Sequence, residues 1–106
     1  MLFSPRYPDP RSILITGASS GIGTALALHY AAPGISLFIS GRDQQRLDDV
    51  AERCRDLGAT VSTWVGDVTD EPGLKNWIIA CDTAQALNLV IANAGVALGS
   101  TKVQGL

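Results

Sequence analysis

Little in this chain is suited to holding a metal ion, cross-linking a scaffold or gripping a polyanion. There are two cysteines and one histidine in 106 residues. Cys54 and Cys81 have no C-x-x-C partner and no histidine pair nearby, which excludes the usual zinc spacings. Both fall inside helical patterns and read as small buried hydrophobes. So sparse a cysteine content is compatible with a reducing, cytoplasmic setting. Lysine and arginine number 8 against 10 acidic residues, a net charge of -2, and they are scattered. No basic face for nucleic acid is expected. Long apolar runs are also missing. The stretch from Leu87 to Leu98 is interrupted by Asn88 and Asn93 and is too short to span a bilayer, so no membrane partner is expected. Met1 to Pro10 has no continuous apolar core, so a signal peptide is not expected there.

What remains is an ordinary globular composition, 46% hydrophobic and 17% charged, with length for one domain. Pro5, Pro8 and Pro10 mark residues 1–11 as an extended lead-in. Ser12 to Thr16, S-I-L-I-T, is a short continuous apolar run, the pattern of a strand buried on both faces. From Gly21 the sequence turns rich in Ala and Leu, which predicts a helix stopped by Pro33-Gly34. A second strand is predicted over Ile35 to Ser40. A second helix follows from about Asp43 to Leu57, with Leu47, Val50, Ala51, Cys54 and Leu57 in one apolar stripe, and Gly58 supplies its left-handed cap. Thr60 to Val65 is β-branched and alternating, a third strand. Asp70 suits an N-cap and Pro72 a first helical turn. Leu74, Trp77, Ile78 and Cys81 form the inner face of that third helix, and Asn88 to Ala92 a fourth strand. Strands alternating with helices of this length predict right-handed βαβ units on a parallel sheet.

The stretch Thr16 to Gly23, T-G-A-S-S-G-I-G, lies between the first strand and the first helix. Gly17 lets the chain turn sharply, Gly21 lets backbone N–H groups approach a pyrophosphate, and Gly23 permits close helix–strand packing. The helix start offers oriented N–H groups to phosphates, and Ser19 and Ser20 can add hydroxyl donors. Glycine-rich turns also serve as plain corners. The preceding strand and following helix favour the phosphate site. About twenty residues beyond such glycines, a carboxylate grips the ribose 2′-hydroxyl of NAD. Here that position is Gly41, followed by Arg42, whose guanidinium fork matches a phosphate. The pair favours NADP(H) over NAD(H). The alternatives are that Arg42 caps a loop in solvent and that Asp43 reaches the ribose.

The spacing T-G-x-x-x-G-x-G resembles the short-chain dehydrogenase/reductase family. So do Ser40-Gly41-Arg42, Gly66-Asp67-Val68 and Asn93-Ala94-Gly95, each closing a predicted strand in order. The resemblance runs from Arg11 to Gly95 and implies an α/β, partial Rossmann (doubly wound) parallel sheet of strand order 3-2-1-4, truncated after the fourth strand. It implies an NADP(H)-binding half-domain over 12–95 and a truncated tail over 96–106. The cofactor residues it implies are Gly17, Ser19, Ser20, Gly21, Ile22, Gly23, Arg42, Asp67, Val68, Asn93, Ala94 and Gly95. Among them, Asp67 would accept from the adenine amino group, with the Val68 backbone on the ring. Asp67 could instead only brace the turn before the third helix. Asn93 would brace the sheet, and Ala94 and Gly95 would leave room for the nicotinamide-side ribose. His29, Trp64 and Trp77 read as structural, although the tryptophans could report ligand binding by fluorescence.

The family's chemistry uses a Y-x-x-x-K pair with a serine and an asparagine beyond the fourth strand, the tyrosine acting as general acid/base. Neither Tyr7 nor Tyr30 has a lysine four residues on, and Lys102 follows no suitable tyrosine, so no catalytic residue is assigned. The resemblance implies an oxidoreductase that moves hydride between NADP(H) and a carbonyl or alcohol, with this chain supplying the cofactor part. A non-catalytic nucleotide-binding module and a non-functional truncated product remain as alternatives. With the first two helices on one face and only the third on the other, Leu89-Val90-Ile91 would be an unpaired apolar edge, which invites self-association.

Overall fold

The computed structural model describes residues 10–93. The chain order is β1 (Ser12–Thr16), α1 (Gly21–Tyr30), β2 (Ser36–Gly41), α2 (Gln44–Asp56), β3 (Thr60–Val65), α3 (Glu71–Ala84) and β4 (Leu89–Ala92). The four strands form one parallel sheet, as the alternation of strands and helices predicts, in the order β3-β2-β1-β4 that the family resemblance implies. Several boundaries shift by a residue or two, and the fourth strand starts at Leu89, not Asn88. The second strand runs one residue later, through Gly41, because Gly66 N–H donates to Gly41 O and prolongs the ladder. The first helix ends at Tyr30, with Ala31 N–H closing on Ala27 O, before Pro33. Pro33 disfavours helical backbone at Ala32, so the stop falls earlier than the proline itself.

Both faces of the sheet are covered, which is why β1 is apolar at every central position. Ile13 and Ile15 of β1, Leu37 and Ile39 of β2 and Val61 of β3 pack with Ala27 of α1 and with Leu47, Val50, Ala51 and Cys54 of α2. On the opposite face Leu14 and Phe38 pack with Cys81 of α3, flanked by Trp77 and Ile78. The alternation follows from the two-residue period of a strand. Each fully buried Ile or Leu contributes about 1.5–3 kcal/mol of apolar burial, and β1, central and wholly buried, collects from both layers.

The caps predicted at Asp70 and Gly58 are present, and Asp43, expected only as the start of its helix, adds another. Asp43 accepts from Arg46 N–H at 3.1 Å and Asp70 from Gly73 N–H at 3.1 Å, and Gly58 takes φ +101° after α2. The start of the sheet has a brace that no local pattern announces. Asn88 Oδ1 accepts from Arg11 N–H at 2.8 Å and Ser12 N–H at 3.1 Å, while its backbone N–H donates to Ser12 O at 2.8 Å. Asn88→Ala leaves the Ser12 N–H unpartnered beside a buried residue and should cost about 1–2 kcal/mol. A urea midpoint matching the unsubstituted chain would refute the brace.

Among the described residues, β4 pairs on one side only. Leu89 and Ile91 pack on the face of α1 and α2, but Val90, on the α3 face, is 48% exposed, and Ile79 of α3 is 53% exposed. No described helix is long and apolar enough to cross a membrane. Of the lead-in over 1–11, residues 1–9 lie outside the described residues, as does the whole tail over 96–106.

Candidate functional site: a loop nest at the strand ends

Parallel pairing sets all four strand ends on one edge. Thr16 of β1 is level with Ala92 of β4, and Gly41 of β2 with Val65 of β3. The segments singled out from sequence therefore converge: Gly17 to Gly23 after β1, Arg42 after β2, Asp67 and Val68 after β3, and Asn93 after β4. Sequence order reverses across β1, with β2 on one side and β4 on the other, the topology that opens a crevice at the strands' carboxyl ends. Ala94 and Gly95 lie outside the described residues.

The three glycines divide the work of the turn. Gly17 and Gly21 have φ of +69° and +57°, values that disfavour any side chain. A Cβ on Gly21 would meet nothing within 4 Å, so that side of the loop is open to a ligand. A Cβ on Gly23 would strike the Gly17 carbonyl and stand 2.9 Å from Asn93 Nδ2. Gly23 is thus the packing glycine and Gly21 the open one.

Hydrogen bonds hold the loop from three directions. Ala18 N–H donates to Ser40 O of β2 at 2.7 Å. Thr24 Oγ1 in α1 donates back to Ala18 O at 2.7 Å. Asn93 Nδ2, at the end of β4, donates to Gly17 O at 3.3 Å. The resemblance implies Asn93 as a brace of the sheet, whereas its side chain here holds the glycine loop, and sequence reasoning misses Thr24. The available signal was a threonine in the first turn of a helix, directly after the last glycine. Ser20 is the N-cap of α1, yet its side chain makes no capping bond, so the first-turn N–H groups are not occupied by the helix's own cap. Ile22 beside them is 68% exposed, an apolar side chain that a ligand could cover.

Arg42 and Asp67 face each other across the β2 and β3 ends, with Arg42 Nη1 3.6 Å from Asp67 Oδ2 and side chains 78% and 44% exposed. Asp67 Oδ1 accepts from Thr69 N–H at 2.9 Å. The carboxylate therefore braces the turn before α3 with one oxygen and meets Arg42 with the other. Hydrogen bonds from Thr69, first, and the Arg42 charge hold its pKa below the ordinary carboxylate range, so it stays ionised at neutral pH. Asp43, the alternative ribose ligand, is taken up by the cap of α2 and by Arg46 Nε at 3.7 Å.

Trp64 lies with its indole over Gly66 and stacks on Trp77 at 5.4 Å between centroids. His29 is exposed and packs edge-on against Tyr30. Cys54 and Cys81 are buried, and burial pushes both thiols above their ordinary pKa, the inert condition for cysteine. Among the described residues no three His, Cys, Asp or Glu side chains gather as a metal site.

A glycine nest leading into a helix at the switch point of a 3-2-1-4 parallel sheet defines the dinucleotide-binding class of α/β folds. Residues 11–105 match the short chain dehydrogenase family, and the chain belongs to it. It is 40% identical over 97 residues to an oxidoreductase of Myxococcus xanthus, covering 91% of this chain and 38% of the relative. It is 38% identical over 93 residues to sulfoacetaldehyde reductase 2 of Chromohalobacter salexigens, covering 87% of this chain and 36% of that enzyme. Among solved structures, the bulky-bulky ketone specific alcohol dehydrogenase of Comamonas testosteroni is similar at a TM-score of 0.71 and 34% identity, over 80% of this chain and 35% of the other. The chain thus spans under two-fifths of the length of the curated relatives named here.

Proposed function

We propose that this chain forms the NADP(H) site of an oxidoreductase that interconverts carbonyl and alcohol groups. Family membership supports an oxidoreductase with a nicotinamide dinucleotide, and relatives that include a sulfoacetaldehyde reductase and a ketone-specific alcohol dehydrogenase support the reaction class. A similar xylitol dehydrogenase, 26% identical at a TM-score of 0.64, is NAD+-bound, so the fold alone does not choose the cofactor. The observation that carries the choice is the β2 end, where Gly41 offers no carboxylate and Arg42 is exposed beside it.

The residues fit a dinucleotide. The open side of Gly21 and the first-turn N–H groups of α1 would take the pyrophosphate, with Ser19 and Ser20 as additional donors. Arg42 would hold the 2′-phosphate, Asp67 and the Val68 backbone the adenine, and Ile22 would be covered on binding. Asn93 would act through Gly17 O, fixing the loop. Bound, the cofactor supplies or accepts a hydride. Ala94 and Gly95 would leave room on the nicotinamide side. The Tyr–Lys pair of the family has no counterpart in these 106 residues, so this chain alone should bind cofactor without turning over substrate. Titration with NADPH and NADH, followed by the fluorescence of Trp64 and Trp77, should give saturable binding that is tighter for NADPH. Absence of saturation, or tighter NADH, would overturn the reading, as would carbonyl reduction by this chain alone.

The side of β4 that no described strand pairs, with exposed Val90 and Ile79, is where copies of the 106-residue chain should associate. Sedimentation velocity should show mass rising with concentration, and a concentration-independent monomer would refute it.

A further inference from the structure

Gly41 is buried and lies directly under the glycine loop. A Cβ at position 41 would stand 2.6 Å from Ser19 Oγ and 2.8 Å from Ser19 Cβ, with Ser19 N at 3.4 Å. Rotating Ser19 about χ1 moves its Oγ but leaves its Cβ where it is, so relief requires movement of the loop backbone. That backbone is fastened on both sides of the contact. Ala18 N–H is bonded to Ser40 O, the residue before Gly41, and Ala18 O to Thr24 Oγ1. Gly17 O is held by Asn93 and backed by Gly23. The loop cannot lift from β2 without breaking these bonds.

We infer that Ser19 is a specificity-determining residue because it fills the space that any side chain on residue 41 would need. The inference rests on the cofactor reading above and adds a second, steric element to it. Residue 41 is where a carboxylate would have to stand to grip a ribose 2′-hydroxyl. With Ser19 seated on Gly41, no carboxylate fits without displacing the phosphate loop, and the 2′-position is left to Arg42. Selectivity against NAD(H) is therefore written in the loop as well as in the arginine.

Four chains test this by equilibrium titration with NADPH and NADH: unsubstituted, Ser19→Gly, Gly41→Asp and the double variant. Gly41→Asp alone should weaken both cofactors by about tenfold or more, because the loop is displaced. Adding Ser19→Gly should tighten NADH by about tenfold relative to Gly41→Asp, with NADPH staying weak because an acidic residue then faces its phosphate. A Gly41→Asp chain that gains NADH affinity as fully as the double variant would overturn the role of Ser19. Failure of the unsubstituted chain to bind either nucleotide would overturn the cofactor reading itself. A ligand-free arm tests the seating. Gly41→Ala should lower Tm by about 5 °C or more when Ser19 is present and by less than half of that in the Ser19→Gly background. Equal losses in the two backgrounds would overturn it.

Discussion

Replacing Gly23 by alanine should abolish tight dinucleotide binding while leaving a folded but weakened chain. The added Cβ collides with the Gly17 carbonyl and crowds Asn93 Nδ2. Neither neighbour can yield cheaply. The carbonyl belongs to a residue already at φ +69°, and it accepts the Asn93 bond that ties the loop to the end of β4. Alanine is the better helix former by about 1 kcal/mol. Overpacking against fixed backbone costs about 1–3 kcal/mol, so the clash should win. The relief available is to push the loop outward, which misaligns the N–H groups at the start of α1. Misplacing one or two charge-assisted bonds to a pyrophosphate corresponds to roughly a hundredfold in affinity. NADPH titration and urea denaturation on the same variant separate the two effects. An unchanged dissociation constant would show that Gly23 packs without positioning the loop. An unchanged urea midpoint would show that the loop accepts the extra methyl group without strain.

The sheet is legible in the sequence because its signals are local. A strand buried on both faces shows as a continuous apolar run, and S-I-L-I-T is one. Helix starts and stops carry their own residues, as Asp43, Gly58, Asp70 and Pro72 do. The glycine spacing locates the turn; positive φ sets Gly17 and Gly21 apart from Gly23, and the room around each Cβ marks Gly21 as open and Gly23 as packed. Contacts between residues distant in the chain leave no such local mark. Asn88 reads as a polar break in an apolar stretch, yet it holds two N–H groups at the opposite end of the domain's sequence. Ser19 reads as a phosphate donor, and its seat on Gly41 emerges only when β2 lies beside the loop. For Asp67 the sequence allows two competing roles. The geometry shows one carboxylate with an oxygen in the turn and an oxygen toward Arg42, so bracing the turn does not exclude a ligand contact.

Arg42→Ala should raise the dissociation constant for NADPH about thirtyfold and that for NADH less than about threefold, because a guanidinium–phosphate contact is worth about 2 kcal/mol. In the free chain Arg42 is paired with Asp67, and the question is whether that pairing would withhold it from a phosphate. The pair is long, at 3.6 Å, and both side chains are substantially exposed. Such solvent-screened pairs contribute little, less than a bidentate contact with a phosphate, so the phosphate should take the arginine. Asp67 would not lose its charge in consequence, since the Thr69 hydrogen bonds are the larger cause of its low pKa. The adenine contact proposed for it should survive, which is why NADH should scarcely notice the substitution. Arg42→Lys should fall between, because a lysine keeps the charge but not the fork. The NADPH affinity of the unsubstituted chain should also decline more steeply with salt than that of the alanine variant. Equal losses for NADPH and NADH would show instead that Arg42 acts through Asp67 on the adenosine common to both, and the 2′-phosphate assignment would then be wrong.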